Sequence, residues 1–176
     1  VRQIGPETGD LASGLSGEGR MSEPEAIVAR LHADLVGNGK LNGKRILISA
    51  GGTQEAIDPV RYIGNRSSGK MGFALAEEAA LRGATVELVS GPTALHTQVP
   101  GIVRTDVESA AQMAEACKGH APTCDVVIMS AAVADYRPAY PATSKIKKKD
   151  TVLNLDLEPT EDILAGLSAG RAPGQT

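Results

Sequence analysis

At 176 residues and 41% apolar content the chain has the length of one domain, but one Phe, three Tyr and no Trp leave its core aliphatic and give no aromatic platform for stacked bases. A net charge of -3 and a sequence pI near 5.6 disfavour nucleic acid and anionic membranes as bulk partners. No apolar run approaches the roughly 18 residues of a membrane span and no signal peptide opens the chain, so a cytoplasmic protein is expected.

Residues 1–24 are rich in Gly, Ser and Glu without periodicity and read as loop. Ile27, Val28, Leu31 and Leu35 then recur at helical spacing over 25–36, with Ser22 as cap and Pro24 in the first turn; residues 37–40 form a linker. From Gly43 strands and helices alternate: strand 45–49, helix about 69–82, strand 85–89, a short strand near 102–106, helix 109–118, strand 125–130, a basic segment, strand 152–157, and a helix from Glu161. Val126-Val-Ile-Met-Ser is a continuous apolar run, as expected for a strand buried on both faces of a parallel sheet. The predicted fold is therefore α/β: a doubly wound, mostly parallel, Rossmann-like sheet flanked by helices. In such sheets ligands sit beyond the carboxyl ends of the strands, and polar or small-residue clusters follow three of them, at 50–53, 90–93 and 131–137.

The stretch Asp58-Pro-Val-Arg-Tyr-Ile-Gly-Asn-Arg-Ser-Ser-Gly-Lys-Met-Gly72 lies between a buried strand and an Ala-rich helix. A helix beginning near Ser68 would aim free N–H groups at an anion, and glycines at 69 and 72 would admit a ligand to the backbone. Residues 64–71 match GxxxxGK, but Met71 stands where a P-loop needs Ser or Thr for magnesium, and no GxGxxG follows any strand. A surface loop whose glycines only make turns is the plainer reading; long loops in compact domains are usually functional. Small residues at 131–134 would let a flat ligand lie against the backbone, and Asp135 adds a carboxylate for a hydroxyl, an amine or a metal. Lys145-Ile-Lys147-Lys148-Lys149 is either a solvated basic edge or a flap of point charges over a polyphosphate. Two cysteines, Cys117 and Cys124, lack zinc-ligand spacing and read as inert thiols; His32, His96 and His120 lack a partner at ligand or triad spacing and are expected to face solvent or lie in loops.

Together, Ala50-Gly-Gly-Thr, the 58–72 stretch, Ala131-Ala-Val-Ala-Asp135-Tyr and Lys145-Ile-Lys-Lys resemble bacterial phosphopantothenate-cysteine ligase (phosphopantothenoylcysteine synthetase), usually one half of a bifunctional coenzyme A biosynthesis protein. The resemblance covers about residues 43–176. It implies that phosphopantothenate's carboxylate attacks the α-phosphate of CTP, that cysteine's amine attacks the acyl-cytidylate, and that Mg2+ accompanies the nucleotide. It also implies site roles. Asn65 acts on the intermediate and Arg61 supports its loop; Lys145 contacts the triphosphate; Asp135 and the Ala131 backbone hold the cytidine part. The turn Thr160-Glu161-Asp162-Ile163 aligns with a nucleotide-contacting turn usually written with Asn-Pro. Gly51, Gly52, Thr53 and the helix start Ser67-Ser68-Gly69-Lys70 are the candidate phosphate- or substrate-binding groups, the anion at that helix start being nucleotide phosphate or the pantothenate 4′-phosphate.

Residues 1–42 resemble the end of the flavin-dependent phosphopantothenoylcysteine decarboxylase half plus a linker, with Ser13 where many members carry a catalytic cysteine. FMN would then belong to the remainder of that half. The resemblance implies a chain truncated at both ends, a sheet incomplete at its C-terminus, and a dimer formed through the ligase domain of the parent. Two other classes stand beside this reading: a non-catalytic nucleotide-binding fragment, which needs neither Asn65 nor the lysines, and a Rossmann-type oxidoreductase, which needs the missing glycine fingerprint.

Overall fold

The computed structural model describes residues 5–10, 16–35, 39–148 and 151–176. Its first residues correct the expectation of loop: β1 (Glu7–Asp10) and β2 (Ser16–Arg20) form an antiparallel hairpin. That pairing buries almost no side chain, so no apolar alternation announces it. Ser13 lies outside the described residues. Helix α1 (Pro24–Leu35) follows, with the first intrahelical bond running from the Ile27 N–H to the Glu23 carbonyl. Glu23 rather than Ser22 therefore holds the cap position, and Pro24 takes the first helical position, where its missing N–H costs nothing.

The core is built on β3 (Arg45–Ala50), which leads into a small antiparallel pair, β4 (Gln54–Ala56) and β5 (Tyr62–Gly64), and then into α2 (Lys70–Leu81). Next come β6 (Thr85–Ser90), β7 (Ile102–Asp106), α3 (Ala110–His120), a single 3-10 turn at Ala121–Thr123, and β8 (Val126–Met129). A second small pair, β9 (Tyr136–Pro138) with β10 (Leu157–Pro159), precedes α4 (Ile163–Ala169). The four long strands make one parallel sheet in the order β7-β6-β3-β8, with Ile48 opposite Leu88 on one side and Ile128 on the other.

Helices cover both faces of this sheet. Phe73, Ala76, Ala79 and Ala80 of α2 pack on Ile46, Ile48, Val86 and Leu88, while Met113, Ala114 and Cys117 of α3 and Ile163 of α4 pack on Leu47 and Val89. The doubly wound α/β expectation thus holds. Leu47, Ile48, Val86, Leu88 and Val89 are wholly buried, each worth about 1.5–3 kcal/mol of transfer free energy. β8, expected to be buried on both faces, is only half-buried because it is the last strand in that order; along its outer side Thr176 exchanges hydrogen bonds with Val127 and Asp125. Glu87 is a buried carboxylate on a central strand, and Arg45 on the neighbouring strand satisfies it at 2.9 Å.

Three expectations need correcting. Residues 152–156 are not strand: pairing with β9 begins only at Leu157, leaving Val152 and Leu153 exposed. His120 is not a solvent-facing loop residue; it ends α3 half-buried, with Nδ1 3.6 Å from Glu87. Gly72 opens no path for a ligand. A Cβ there would meet the Ala50 Cβ at 2.5 Å and the Ser130 Oγ at 2.8 Å, so this glycine lets α2 sit directly on the end of β3. No helix among the described residues is long and apolar enough to cross a membrane.

Gly72→Val should therefore destabilise the fold by about 1–3 kcal/mol through overpacking, read as a lower urea midpoint at unchanged slope. An unchanged midpoint would mean that α2 can lift off β3 freely.

Candidate functional site at the carboxyl ends of the strands

The loops leaving β3, β6 and β8 meet at the backbone. Gly51 has a positive φ of 78°, and a Cβ there would lie 2.9 Å from the Gly91 carbonyl oxygen, so only glycine joins the first two loops at this spacing. The Gly91 N–H donates to the Ala50 carbonyl at 2.9 Å, and the Ala132 N–H donates to the Gly51 carbonyl at 2.7 Å. Beneath them the buried Ser49 hydroxyl accepts the N–H groups of Ser130 and Ala131, both at 3.1 Å. Thr53, also buried, accepts the Ala134 N–H at 2.9 Å. Gly51, Gly52 and Thr53 are thus the frame on which the 131–135 loop is hung.

Two cavities flank this frame. One, of about 320 Å³, lies between Ala131, Val133, Ala134 and Asp135 on one side and Thr160 to Leu164 on the other. The second, of about 260 Å³, is lined by Gly52, Thr53, Tyr62, Asn65 and Ser67, among others. Between them runs a partition of two hydrogen bonds, Thr53 to the Ala134 N–H and the Asn65 Nδ2 to the Val133 carbonyl at 2.9 Å. Asn65 therefore presents its side-chain amide at the boundary between the cavities.

The 160–163 turn is held by distinct means. Thr160 donates its hydroxyl to the Ala134 carbonyl at 2.6 Å and its N–H to the Asp135 carbonyl at 2.9 Å. Glu161 pairs with Lys118; Asp162 caps α4 by accepting the Ala165 N–H; Ile163 is buried in the core. The smaller cavity extends as far as Ser67, just before α2, which begins at Lys70 with left-handed Gly69 as its cap residue. The Ser67 and Ser68 hydroxyls accept the N–H groups of Gly69 and Lys70 at 3.3 and 3.5 Å, so these two N–H groups are already turned toward oxygen acceptors.

Arg61 acts within the 58–72 stretch: its guanidinium grips Asp58 and donates to the Ile146 carbonyl at 2.9 Å. Lys145 and Lys70 are exposed and line neither cavity, while Lys149 lies outside the described residues. Sequence reasoning passed over Asp58 itself. Its signal was the Asp-Pro-x-Arg spacing of an Asx turn: Oδ1 accepts the N–H groups of Val60 and Arg61, both at 2.9 Å. The Arg61 side chain, opposed by burial and helped by the Ile146 N–H, holds the Asp58 carboxyl well below the usual carboxylate range. Asp125 is lowered too, by the Arg45 N–H and Lys44. The thiols are free and buried, which pushes Cys117 up to about 11 and Cys124 upward. The side chain of His32 lies outside the described residues, and His96 is exposed.

A doubly wound domain whose polar loops gather at the carboxyl ends of its parallel strands is the class that this architecture defines. Residues 41–176 match the model of the DNA/pantothenate metabolism flavoprotein C-terminal domain, and the chain belongs to that family. The coenzyme A biosynthesis bifunctional protein CoaBC of Mycobacterium tuberculosis (strain ATCC 25618 / H37Rv) is 47% identical over 175 residues, covering 97% of this chain and 42% of that protein. A cysteine/cysteine sulfinic acid decarboxylase from an unknown prokaryotic organism is 46% identical over 98% of this chain and 49% of its own length. The crystal structure of the C-terminal domain of a CoaBC protein is similar with a TM-score of 0.64 at 51% identity, over 75% of this chain and 61% of that one. The chain thus spans less than half the length of these curated relatives.

Asp58 and Asp125 have folded-state pKa values below their unfolded ones, so the stability they contribute is present above about pH 4 and is lost as pH falls below it. Urea midpoints should hold from neutral pH to about pH 4 and then drop, and Asp58→Asn should remove part of that drop. Parallel acid limbs for the two proteins would count against the assignment.

Proposed function

We propose that the chain is the N-terminal part, residues 43–176, of a phosphopantothenate-cysteine ligase domain, preceded by residues 1–42 from the end of a decarboxylase half and a linker. In this reading the parent protein acts in coenzyme A biosynthesis. It joins 4′-phosphopantothenate to L-cysteine at the expense of CTP, and FMN belongs to the decarboxylase half outside this chain. Support comes from the family, from relatives described as coenzyme A biosynthesis bifunctional proteins, and above all from the place of Asn65 on the partition between two cavities.

A carboxylate acylates an amine only after conversion to a mixed anhydride, so the protein's work is positioning and charge stabilisation. The cytidine part would occupy the Ala131–Asp135 cavity, closed by Thr160, Glu161, Asp162 and Ile163. An anionic group would sit against Gly52, Thr53 and the Ser67-Ser68-Gly69-Lys70 start of α2, where the helix dipole favours negative charge. The phosphopantothenate carboxylate attacks the α-phosphate and pyrophosphate leaves; cysteine's amine then attacks the acyl carbon and CMP leaves. Asn65, at the junction, can donate to the acyl oxygen without competing as a nucleophile, and Lys145 supplies charge to the triphosphate. Mg2+ is proposed to enter with the nucleotide, its usual mode on triphosphates. Among the described residues no group of three or more His, Cys, Asp or Glu side chains gathers to hold it, and Asp135 is the carboxylate of the Ala131–Asp135 loop.

The test is CTP-dependent pyrophosphate release by the full-length protein with phosphopantothenate. CTP should exceed ATP by at least about tenfold in kcat/KM, as for a site that hydrogen-bonds one base. Equal rates with the two nucleotides, or release that does not need phosphopantothenate, would refute this assignment. Asn65→Asp puts an anion at the junction and should stall the second half-reaction, so acyl-cytidylate should accumulate in quenched reactions analysed by mass spectrometry. Normal turnover in that variant would remove Asn65 from the chemistry.

A further inference from the structure

The segment 141–148 has no helix or strand of its own, yet it is tied down at two points. The Ala142 N–H donates to the Ile57 carbonyl at 2.9 Å. Four residues on, both backbone polar groups of Ile146 are taken by side chains: its N–H donates to Asp58 Oδ2 at 3.0 Å, and its carbonyl accepts from the Arg61 Nη2 at 2.9 Å. Asp58 is wholly buried, and its two oxygens accept from Val60, Arg61 and Ile146 together. An exposed lysine loop that merely solvates the surface needs no such grip at its middle. A lysine that must deliver a point charge does, because its four-carbon stem is flexible and only its backbone can be fixed in advance.

We propose that Asp58 is a positioning residue: with Arg61 it latches Ile146, and so holds Lys145 in a set place relative to the turn that runs through β5 into Asn65. The proposal rests on the ligase reading for what Lys145 does, but the latch itself is a separate physical object. The two are also coupled in the chain, since residues 57–61, which carry the latch, lead directly through Tyr62–Gly64 to Asn65. The lysine segment and the Asn65 amide thus move as one unit, and charge for the first half-reaction is registered against the donor for the second.

Asp58→Asn separates latch from turn. Its oxygen can still accept the Val60 and Arg61 N–H groups, while its NH2 faces the donors of Arg61 and Ile146 and must release them. Ile146→Pro deletes the donated N–H from the other side, in a half-exposed segment where folding is not at stake. In the full-length protein, hydrogen exchange at the amides of 145–148 should quicken by at least about tenfold in Asp58→Asn. Single-turnover pyrophosphate release from CTP should slow roughly ten- to hundredfold in both variants, with the KM for phosphopantothenate unchanged. In a Lys145→Gln background the Asp58→Asn change should add less than about twofold, because a residue acting through Lys145 has nothing left to position. Additive effects in that double variant, or unchanged exchange at 145–148 in Asp58→Asn, would overturn the proposal with the ligase reading intact. If the unmodified protein releases no pyrophosphate from CTP, the ligase reading falls instead, and exchange at Ile146 alone decides whether the latch exists.

Discussion

The close approach of three backbones at the end of β3 is the constraint on which the rest of the site depends. Gly51 and Gly91 admit the loops of β3 and β6 to van der Waals contact, and the Gly51 carbonyl then accepts the Ala132 N–H from the loop of β8. With those loops seated, Thr53 reaches the Ala134 N–H and Asn65 reaches the Val133 carbonyl. Gly72 performs the same service one layer away, since α2 can offer its N-terminus to the site only by lying against Ala50 and Ser130. Side-chain chemistry enters last, on a scaffold already set by where a Cβ cannot go.

The hydrogen-bonded frame between the cavities is therefore polar but neutral, while Asp135, Glu161 and Asp162 line one cavity and Arg66 the other. Its inner donors and acceptors are hydroxyls, one carboxamide and main-chain groups, and most are already engaged with one another. Lys145, Lys70 and Arg61 lie outside both linings. Such an arrangement suits a reaction in which anionic groups arrive and depart, because preorganised dipoles need no reorganisation as charge shifts and outlying cations stay solvated between turnovers.

How much of this could be read from residues follows from the physics of each element. The parallel sheet was legible because Ile46 to Ile48 and Val126 to Met129 are apolar runs, and Val86, Leu88 and Val89 make a third interrupted only by Glu87, between helices of regular period. The pairs β4-β5 and β9-β10 were not. Each strand has three residues, too few for a pattern, and their positions are fixed by distant partners: Glu55 of β4 accepts the Ala110 N–H at the start of α3, and Thr160 beside β10 donates to the Asp135 carbonyl. The apolar residues at 152, 153 and 155 suggested a strand that those ties displaced to 157–159. Of the residues recognised as a motif, Gly52, Thr53, Asn65 and Ser67 line one cavity and Ala131, Asp135 and the 160–163 turn the other, while Gly51, Arg61, Lys145 and the 68–70 helix start line neither. The bond from Arg61 to the Ile146 carbonyl joins segments 85 residues apart, and neither spacing nor periodicity carries such information. The Val133 carbonyl left no signal either, since main-chain acceptors are the same at every residue.

The partition between the cavities has a consequence for assembly. Its two hydrogen bonds span 68 and 81 residues of chain, so neither can form before β8 has joined the sheet beside β3. Closing loops of that length costs entropy before any contact returns it, which places the partition among the late events of folding. A chain caught with β3, α2 and β6 in place but β8 still outside would carry Asn65, Thr53 and the start of α2 on one open surface. The two cavities become separate rooms only when this edge strand is laid down.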